Sequence, residues 1–482
     1  MPYSLFLENM ALKKYYLKYK YLKLFLINLF SIILYNLKFI KKTKIIIDTI
    51  NYCDTEHDPI YAFRKRLNST PFILCKSNLT EHICYQNDLS YFWEKNGVLC
   101  LMKNFTIDPS FWKEDGYTYN GPVNSRTRGS PLISNGFFNM KCFLGNNFYS
   151  YNKIYDTYFK SWKYTFINNN SIYKEVEEEE LSPGKIVFFI SRNQDSPNMF
   201  HGGSEFINAF SLMYLLNLKP ENIQIVFLES MKFNDDPFYY LYKNIISRGG
   251  EPLHIRSLNK RYHISNAIHL PINWDSPCFT KSDIPNCKNK SKTYHYLYNS
   301  VLKYMNITKF VDNKNYNKEI FYYPKSFINS ELSNYNKFLT IQWRKPWPKN
   351  RKGQQRLLGN GTEIVEKLNS ILPKNVLIRL VDTASLPIVQ QISIMQNTDY
   401  FLGIHGAGLF LSIFLPKHAI LHEIKYTIIM NNLQILGVIS GHKVYSDIIE
   451  AYIDRSNYQE TIFFNLDQLS DKVLIHMREN NF

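Results

Sequence analysis

The stretch FLGIHGAGL, residues 401–409, leads from one apolar segment into another, FLSIFLP, and sets His405 and two glycines at the joint. Those residue types suit anion binding. Gly406 and Gly408 remove side chains that would hold a phosphate away. A helix starting near Ala407, with Leu409 in its first turn, would aim unpaired N–H groups and the positive end of its dipole at the ligand. A diphosphate fits such a turn best. The same residues also make a plain strand-to-helix turn with a packing histidine, because short glycine motifs recur without ligands.

The pattern around the turn has to position it. From residue 185, short apolar runs alternate with helical stretches: KIVFFIS, SEFINAFSLMYLL, IQIVFLE, DPFYYLYKNII, PLHIRSL. Continuous β-branched and aromatic runs between helices predict strands buried on both faces, hence parallel sheets. Residues 308–336, rich in Lys and Asn, interrupt the alternation. It resumes as FLTIQW, TEIVEKLNSIL, VLIRLVD, SLPIVQQISIMQ, DYFLGIH, GAGLFLSIFLP, AILHEI. The fold expected is α/β, with two Rossmann-like doubly wound lobes, 181–330 and 331–482, facing a cleft. Ligands of open α/β sheets sit beyond the carboxyl ends of the strands, where HGAGL falls.

Composition excludes some classes. The chain has 482 residues, 45% hydrophobic, enough for sizeable cores. Its formal charge is +16, but nine lysines against Glu8 and Asp48 put +7 of this in residues 1–50. With no zinc-finger spacing, RRM signature or basic recognition helix, nucleic acid is not an expected partner. The lysines flank LFLINLFSIILYNL (24–37), read as a signal anchor within residues 1–45, a single-pass type II topology with a lumenal remainder. Residues 46–180 read as a Cys-containing N-terminal stem. Five of seven cysteines precede residue 150, without CxxC or Cys/His spacing, which suits disulfides over metal. His254, His263, His269, His418 and His422 likewise show no metal-ligand spacing.

Four stretches resemble glycosyltransferase family 61, which includes protein O-GlcNAc transferases of the secretory pathway and β-1,2-xylosyltransferases. The longest is VDTASLPIVQQISIMQNTDYFLGIHGAGLFLSIFLPKHAILHEI (381–424), with Phe410 where the family has Thr. NMFHGGSEFINAF (198–210) is similar to an aromatic-His-x-x-x-Asp signature, with Glu205 in place of Asp. The others are IQIVFLESMKFNDDPFYYLYKNII and the Arg-rich WRKPWPKNRKGQQRLLGNGTEIVEKL.

The resemblance implies a GT-B fold and transfer of a sugar from a nucleotide diphosphate. Charge on the departing diphosphate needs preorganised donors. With no D-x-D in the chain, no metal or other cofactor is expected beyond the UDP-sugar itself. The load falls on His405, the amides of Gly406, Ala407, Gly408 and Leu409, and Arg344 and Arg356. Asp382 ends a strand of the same lobe, and Glu423 suits ribose hydroxyls. Glu205, with His201 one turn earlier on the same helix face, is the expected base for the acceptor hydroxyl, in direct displacement with inversion.

UDP-xylose or UDP-GlcNAc and a glycoprotein acceptor are the expected partners, with the membrane through the anchor, in the Golgi or ER. The long 344–356 loop favours a β-1,2-xylosyltransferase of N-glycans. An EGF-domain O-GlcNAc transferase is the alternative, and a sugar-binding homologue without turnover is a third reading.

Overall fold

The computed structural model describes residues 52–53, 55, 57–69, 72–76, 80–86, 98–113, 132–133, 137–140, 143–144, 165–166, 178–190, 198–228, 237–270, 284–287, 289–307, 310, 317–329, 332–345, 355–429, 431–455 and 459–482. The apolar run 24–37 lies outside them, and among the described residues no helix is long and apolar enough to cross a membrane. Residues 51–214 and 218–482 form one unit.

Near its start, helix α1 (Pro59–Leu67) is capped by Asp58, whose Oδ1 accepts from the Tyr61 amide at 3.1 Å. Asp58 also accepts from the Thr293 amide (3.0 Å) and hydroxyl (2.9 Å), so one buried carboxylate organises two distant segments. A disulfide between Cys53 and Cys287 adds a covalent tie between the same regions.

The chain is mixed α/β. The first sheet contains β1 (Phe72–Lys76), β2 (Glu81–Gln86), β3 (Val98–Ile107), β4 (Ile186–Ile190), β5 (Ile223–Phe227), β6 (Leu253–His254) and β7 (Tyr262–His269), in the order β6-β5-β4-β7-β3-β2-β1. β6, β5, β4 and β7 are parallel, as the continuous apolar runs predict. β7 then pairs antiparallel with β3 from Tyr262↔Ile107 to His269↔Cys100, so residues read as stem extend this sheet. Cys84 and Cys100, paired across β2 and β3, form a second disulfide. Helix α2 (Met199–Leu215) follows β4 and is buried nearly all round, which its Phe, Ile, Leu and Ala content allows. The helix expected in DPFYYLYKNII is one short α-turn running into a π-helical turn, Tyr242–Ile246.

Helix α3 (Lys292–Tyr304) leads to the second sheet. Its members are β8 (Phe321–Tyr322), β9 (Lys337–Gln342), β11 (Val376–Val381), β12 (Tyr400–Ile404), β13 (Ile420–Lys425) and β14 (Lys443–Ile448), in the order β8-β11-β9-β12-β13-β14. All are parallel except β8. Between them stand β10 (Gln355–Leu358) and helices α4 (Gly361–Ile371), α5 (Ile388–Gln396) and α6 (Asn432–Ile439). The chain ends with β15 (Ala451–Asp454), β16 (Gln459–Phe464) and α7 (Leu466–Glu479). A core of Leu339, Ile341, Leu380, Leu402, Ile404 and Ile424 from the sheet, with Ile364, Val365, Leu368, Val473 and Met477 from α4 and α7, fills one face. Arg379, fully buried in β11, holds the end of α5 by donating to the Ile394 (3.1 Å) and Asn397 (2.6 Å) carbonyls.

The strand order defines where a ligand belongs. The chain goes from β9 to β11 on one side and then crosses to β12 on the other, so the direction of winding reverses between β9 and β12. Loops leaving the carboxyl ends of two such strands part in opposite directions and open a crevice.

Candidate active site

The carboxyl end of β12 delivers His405 to this switch point, 6% exposed, with its amide bonded to the Ile424 carbonyl of neighbouring β13 at 2.9 Å. The next residues, Ala407–Phe414, form a 3-10 helix where an α-helix was expected. Its i→i+3 winding stacks Ala407, Phe410 and Ile413 in one row. It packs against α3, α5 and α6 and is buried along Leu409–Phe414. Leu409 N–H is committed to the Gly406 carbonyl at 3.0 Å. Ala407 and Gly408, ahead of it, are half-buried and precede the first intrahelical donor.

The two glycines serve the protein's own side chains as well as any ligand. A Cβ on Gly406 would lie 2.0 Å from Arg344 Nη1, and one on Gly408 would lie 1.4 Å from Gln342 Nε2. Arg344 is thereby laid across the turn, and its Nη1 donates to the His405 carbonyl at 3.1 Å. Gln342, the last residue of β9, is 5% exposed; its Nε2 reaches Thr383 Oγ1 at 3.5 Å and its Oε1 has no protein partner. Gly403 makes room on the same side, since a Cβ there would meet Leu409 Cδ2 at 2.7 Å and Gln342 Cβ at 3.2 Å.

His405 is held from behind by Glu423 on β13, with Nδ1 to Oε1 at 2.5 Å. Sequence reasoning assigned Glu423 to ribose hydroxyls. Both its carboxylate oxygens are engaged within the protein, because Oε2 meets Lys425 Nζ (3.0 Å), Ser446 Oγ (2.9 Å) and Gln434 Nε2 (3.2 Å). Burial by itself would raise the Glu423 pKa, but the His405 hydrogen bond and charge and the Lys425 ammonium outweigh it and hold the carboxyl below its ordinary value. Lys425 was missed, although HEIK carried a signal: residues two apart on a strand share a face.

Asp382, just past β11, is buried; its Oδ2 accepts from Ser385 Oγ at 2.6 Å and its amide donates to Ile320. It shares a turn with Thr383, the partner of Gln342. Arg356 in β10 acts electrostatically on the Tyr426 phenol, which donates to Glu460 at 2.7 Å, placing Arg356 toward the end of β13. The Leu358 amide donates to the Arg344 carbonyl, so both ends of the arginine-rich loop meet; residues 346–354, including Trp347 and Arg351, lie outside the described residues.

Helix α2 carries His201, half-buried, and Glu205, 2% exposed. Between them, Gly203 faces the 3-10 helix: a Cβ there would stand 2.1 Å from Phe410 Cε1. The Phe410 ring also meets Phe200 and Phe238 edge-on, with centroids 6.0 and 5.7 Å apart. Phe410 is thus a packing contact between the glycine turn's helix and the helix bearing the candidate base.

Residues 264–421 match the family model described as Glycosyltransferase 61. This stretch is similar to glycosyltransferase 61. It contains Arg344, Arg356, Asp382 and the whole glycine turn, while His201 and Glu205 precede it and Glu423 follows it by two residues. No curated protein matches the chain. The matched segment therefore spans the second sheet's β8 to the start of β13, including the β9/β12 switch point.

Proposed function

We propose that this chain is an inverting glycosyltransferase that moves xylose or N-acetylglucosamine from a UDP-sugar to a glycoprotein. The carrying observation is the glycine turn with Arg344 across it, at the switch point of a parallel sheet and within the family segment. The two sheets act as the acceptor and donor lobes of a GT-B arrangement. The diphosphate binds beyond β9 and β12, against the Ala407 and Gly408 amides and the Arg344 guanidinium, which oppose the charge that develops as the sugar–oxygen bond breaks. His405, fixed by Glu423, orients toward the phosphates from the strand end. Glu205, with His201 one turn earlier on a helix packed against Phe410, takes the acceptor proton. Attack opposite the diphosphate inverts the anomeric carbon.

The favoured acceptor reaction is β-1,2-xylosyl transfer to N-glycans in the Golgi or ER, on a chain anchored by residues 24–37. UDP release is measured with UDP-xylose and UDP-GlcNAc, each with an N-glycopeptide and an EGF-like domain. Release with UDP-xylose and glycopeptide supports this reading; release with UDP-GlcNAc and the EGF-like domain transfers it to O-GlcNAc transfer. Nucleotide binding without release from either donor leaves a sugar-binding protein. Glu205→Gln is expected to abolish release with nearly unchanged UDP affinity, and equal loss of both would make Glu205 structural.

A further inference from the structure

Behind the sheet edge, three residues far apart in sequence converge. His422 on β13, Asp447 on β14 and His476 on α7 bring His422 Nε2 and His476 Nε2 to 3.0 and 2.6 Å from one oxygen, Asp447 Oδ2. We propose that these three groups bind one divalent transition ion, zinc foremost, that clamps α7 to the edge of the second sheet. Two imidazoles and one carboxylate are a borderline donor set of the kind zinc takes, with water in the fourth place.

Four observations support the ion over a simple hydrogen-bonded clamp. His422 is fully buried, and its Nε2 lies within ion-pair distance of Asp447 Oδ2 but outside hydrogen-bond geometry, so the nitrogen faces the carboxylate without a formed hydrogen bond. Its other nitrogen, Nδ1, is 2.8 Å from the Tyr400 hydroxyl, the outer contact that fixes a ligating imidazole. The second carboxylate oxygen, Oδ1, is held by Lys472 Nζ at 3.1 Å, which leaves Oδ2 turned inward. The His476 ring is fixed by stacking on Tyr445, with centroids 3.7 Å apart, and it stands at 88° to the His422 ring. Ligand atoms around tetrahedral zinc lie about 3.3 Å apart, given metal–ligand distances of ~2.0 Å. Asp447 Oδ2 needs to part from each nitrogen by less than ~1 Å to reach that spacing, and the three ligand atoms already lie within 4.8 Å of one another. Asp447 and Lys472 are partly exposed, so an ion reaches the site from solvent.

The other His/Cys cluster among the described residues, His82 with Cys84 and Cys100, has its thiols joined as a disulfide. The proposed site is independent of the donor site, because His422 and Glu423 are adjacent on a strand and point to opposite faces.

The test uses the untagged full chain, stripped with a chelator and titrated with Zn²⁺ by calorimetry and thermal unfolding. Uptake of one equivalent per chain with a rise in Tm is expected. Co²⁺ in place of Zn²⁺ should give the visible absorption of a four-coordinate site, a readout that needs only the native sequence. Asp447→Asn combined with His476→Gln keeps hydrogen-bonding groups and should abolish both responses. Absence of Zn²⁺ uptake and of the Co²⁺ band in the native chain, or uptake unchanged in the double variant, overturns the proposal.

Discussion

Replacing Glu423 by Gln tests whether the glycine turn rests on a buried charge. The carboxylate is fully buried and serves His405 at one oxygen and Lys425, Ser446 and Gln434 at the other. A carboxamide offers one acceptor and one donor group. Turned to accept from Lys425, it points its NH₂ at His405 Nδ1, which must then accept and shift its proton to Nε2. Turned the other way, it sets NH₂ against three donors. In either arrangement the Lys425 ammonium, 4% exposed, loses its counter-charge.

Breaking a buried pair from one side costs roughly 3–5 kcal/mol, a large share of a typical ~5–15 kcal/mol total. Glu423→Gln should therefore lower the urea midpoint by that equivalent and weaken UDP binding. Adding Lys425→Met removes the orphan cation and should restore most of the stability while leaving UDP binding weak, because His405 stays unanchored. A loss under ~1 kcal/mol in the single variant refutes the desolvated pair. A double variant with native UDP affinity refutes the anchoring of His405.

Gly408→Ala places a Cβ 1.4 Å from Gln342 Nε2 and should destabilise by about 1–3 kcal/mol as an overpacked site. Gln342→Ala in the same chain should relieve it, and a neutral Gly408→Ala in denaturant titration would show that the two do not compete for space. Stability should fall as pH drops below ~6.5. Burial lowers the pKa of His82, His269 and His442 to about 3, so the unfolded chain takes up protons that the native state refuses. A second loss should follow below pH ~4. Against burial, His405 and Lys425 hold Glu423 below its ordinary pKa, and His422, His476 and Lys472 do so for Asp447. A urea midpoint flat from about pH 7 to 4 would contradict the first, and one flat from about pH 4 to 2 the second.

Strand positions were legible because β4, β5, β9, β11 and β12 are buried on both faces, which forces predominantly apolar runs whatever the rest of the chain does. The glycine turn was legible for its spacing, but the spacing did not say what fills the cleared space. Arg344 and Gln342 come from β9 and its following loop, over sixty residues earlier, and nothing local marks their approach. Glu423 was found by its place at a strand end, yet its partners lie on the same strand, on β14 and on α6, so its engagement is a property of the sheet's register. The 3-10 winding of residues 407–414 was hidden, since an apolar eight-residue run satisfies either helix when every side is buried. The union of residues 98–107 with β7 was hidden for a similar reason: antiparallel partners more than 150 residues apart leave no mark in either segment.

Calorimetry of UDP binding in excess chelator, with native chain and Arg344→Ala, tests the account most directly. The native chain is expected to bind UDP without divalent ions, and the variant to bind at least tenfold more weakly at an unchanged melting temperature. Binding that requires a divalent ion, or equal affinity in the two proteins, would contradict a diphosphate held by the glycine turn and Arg344.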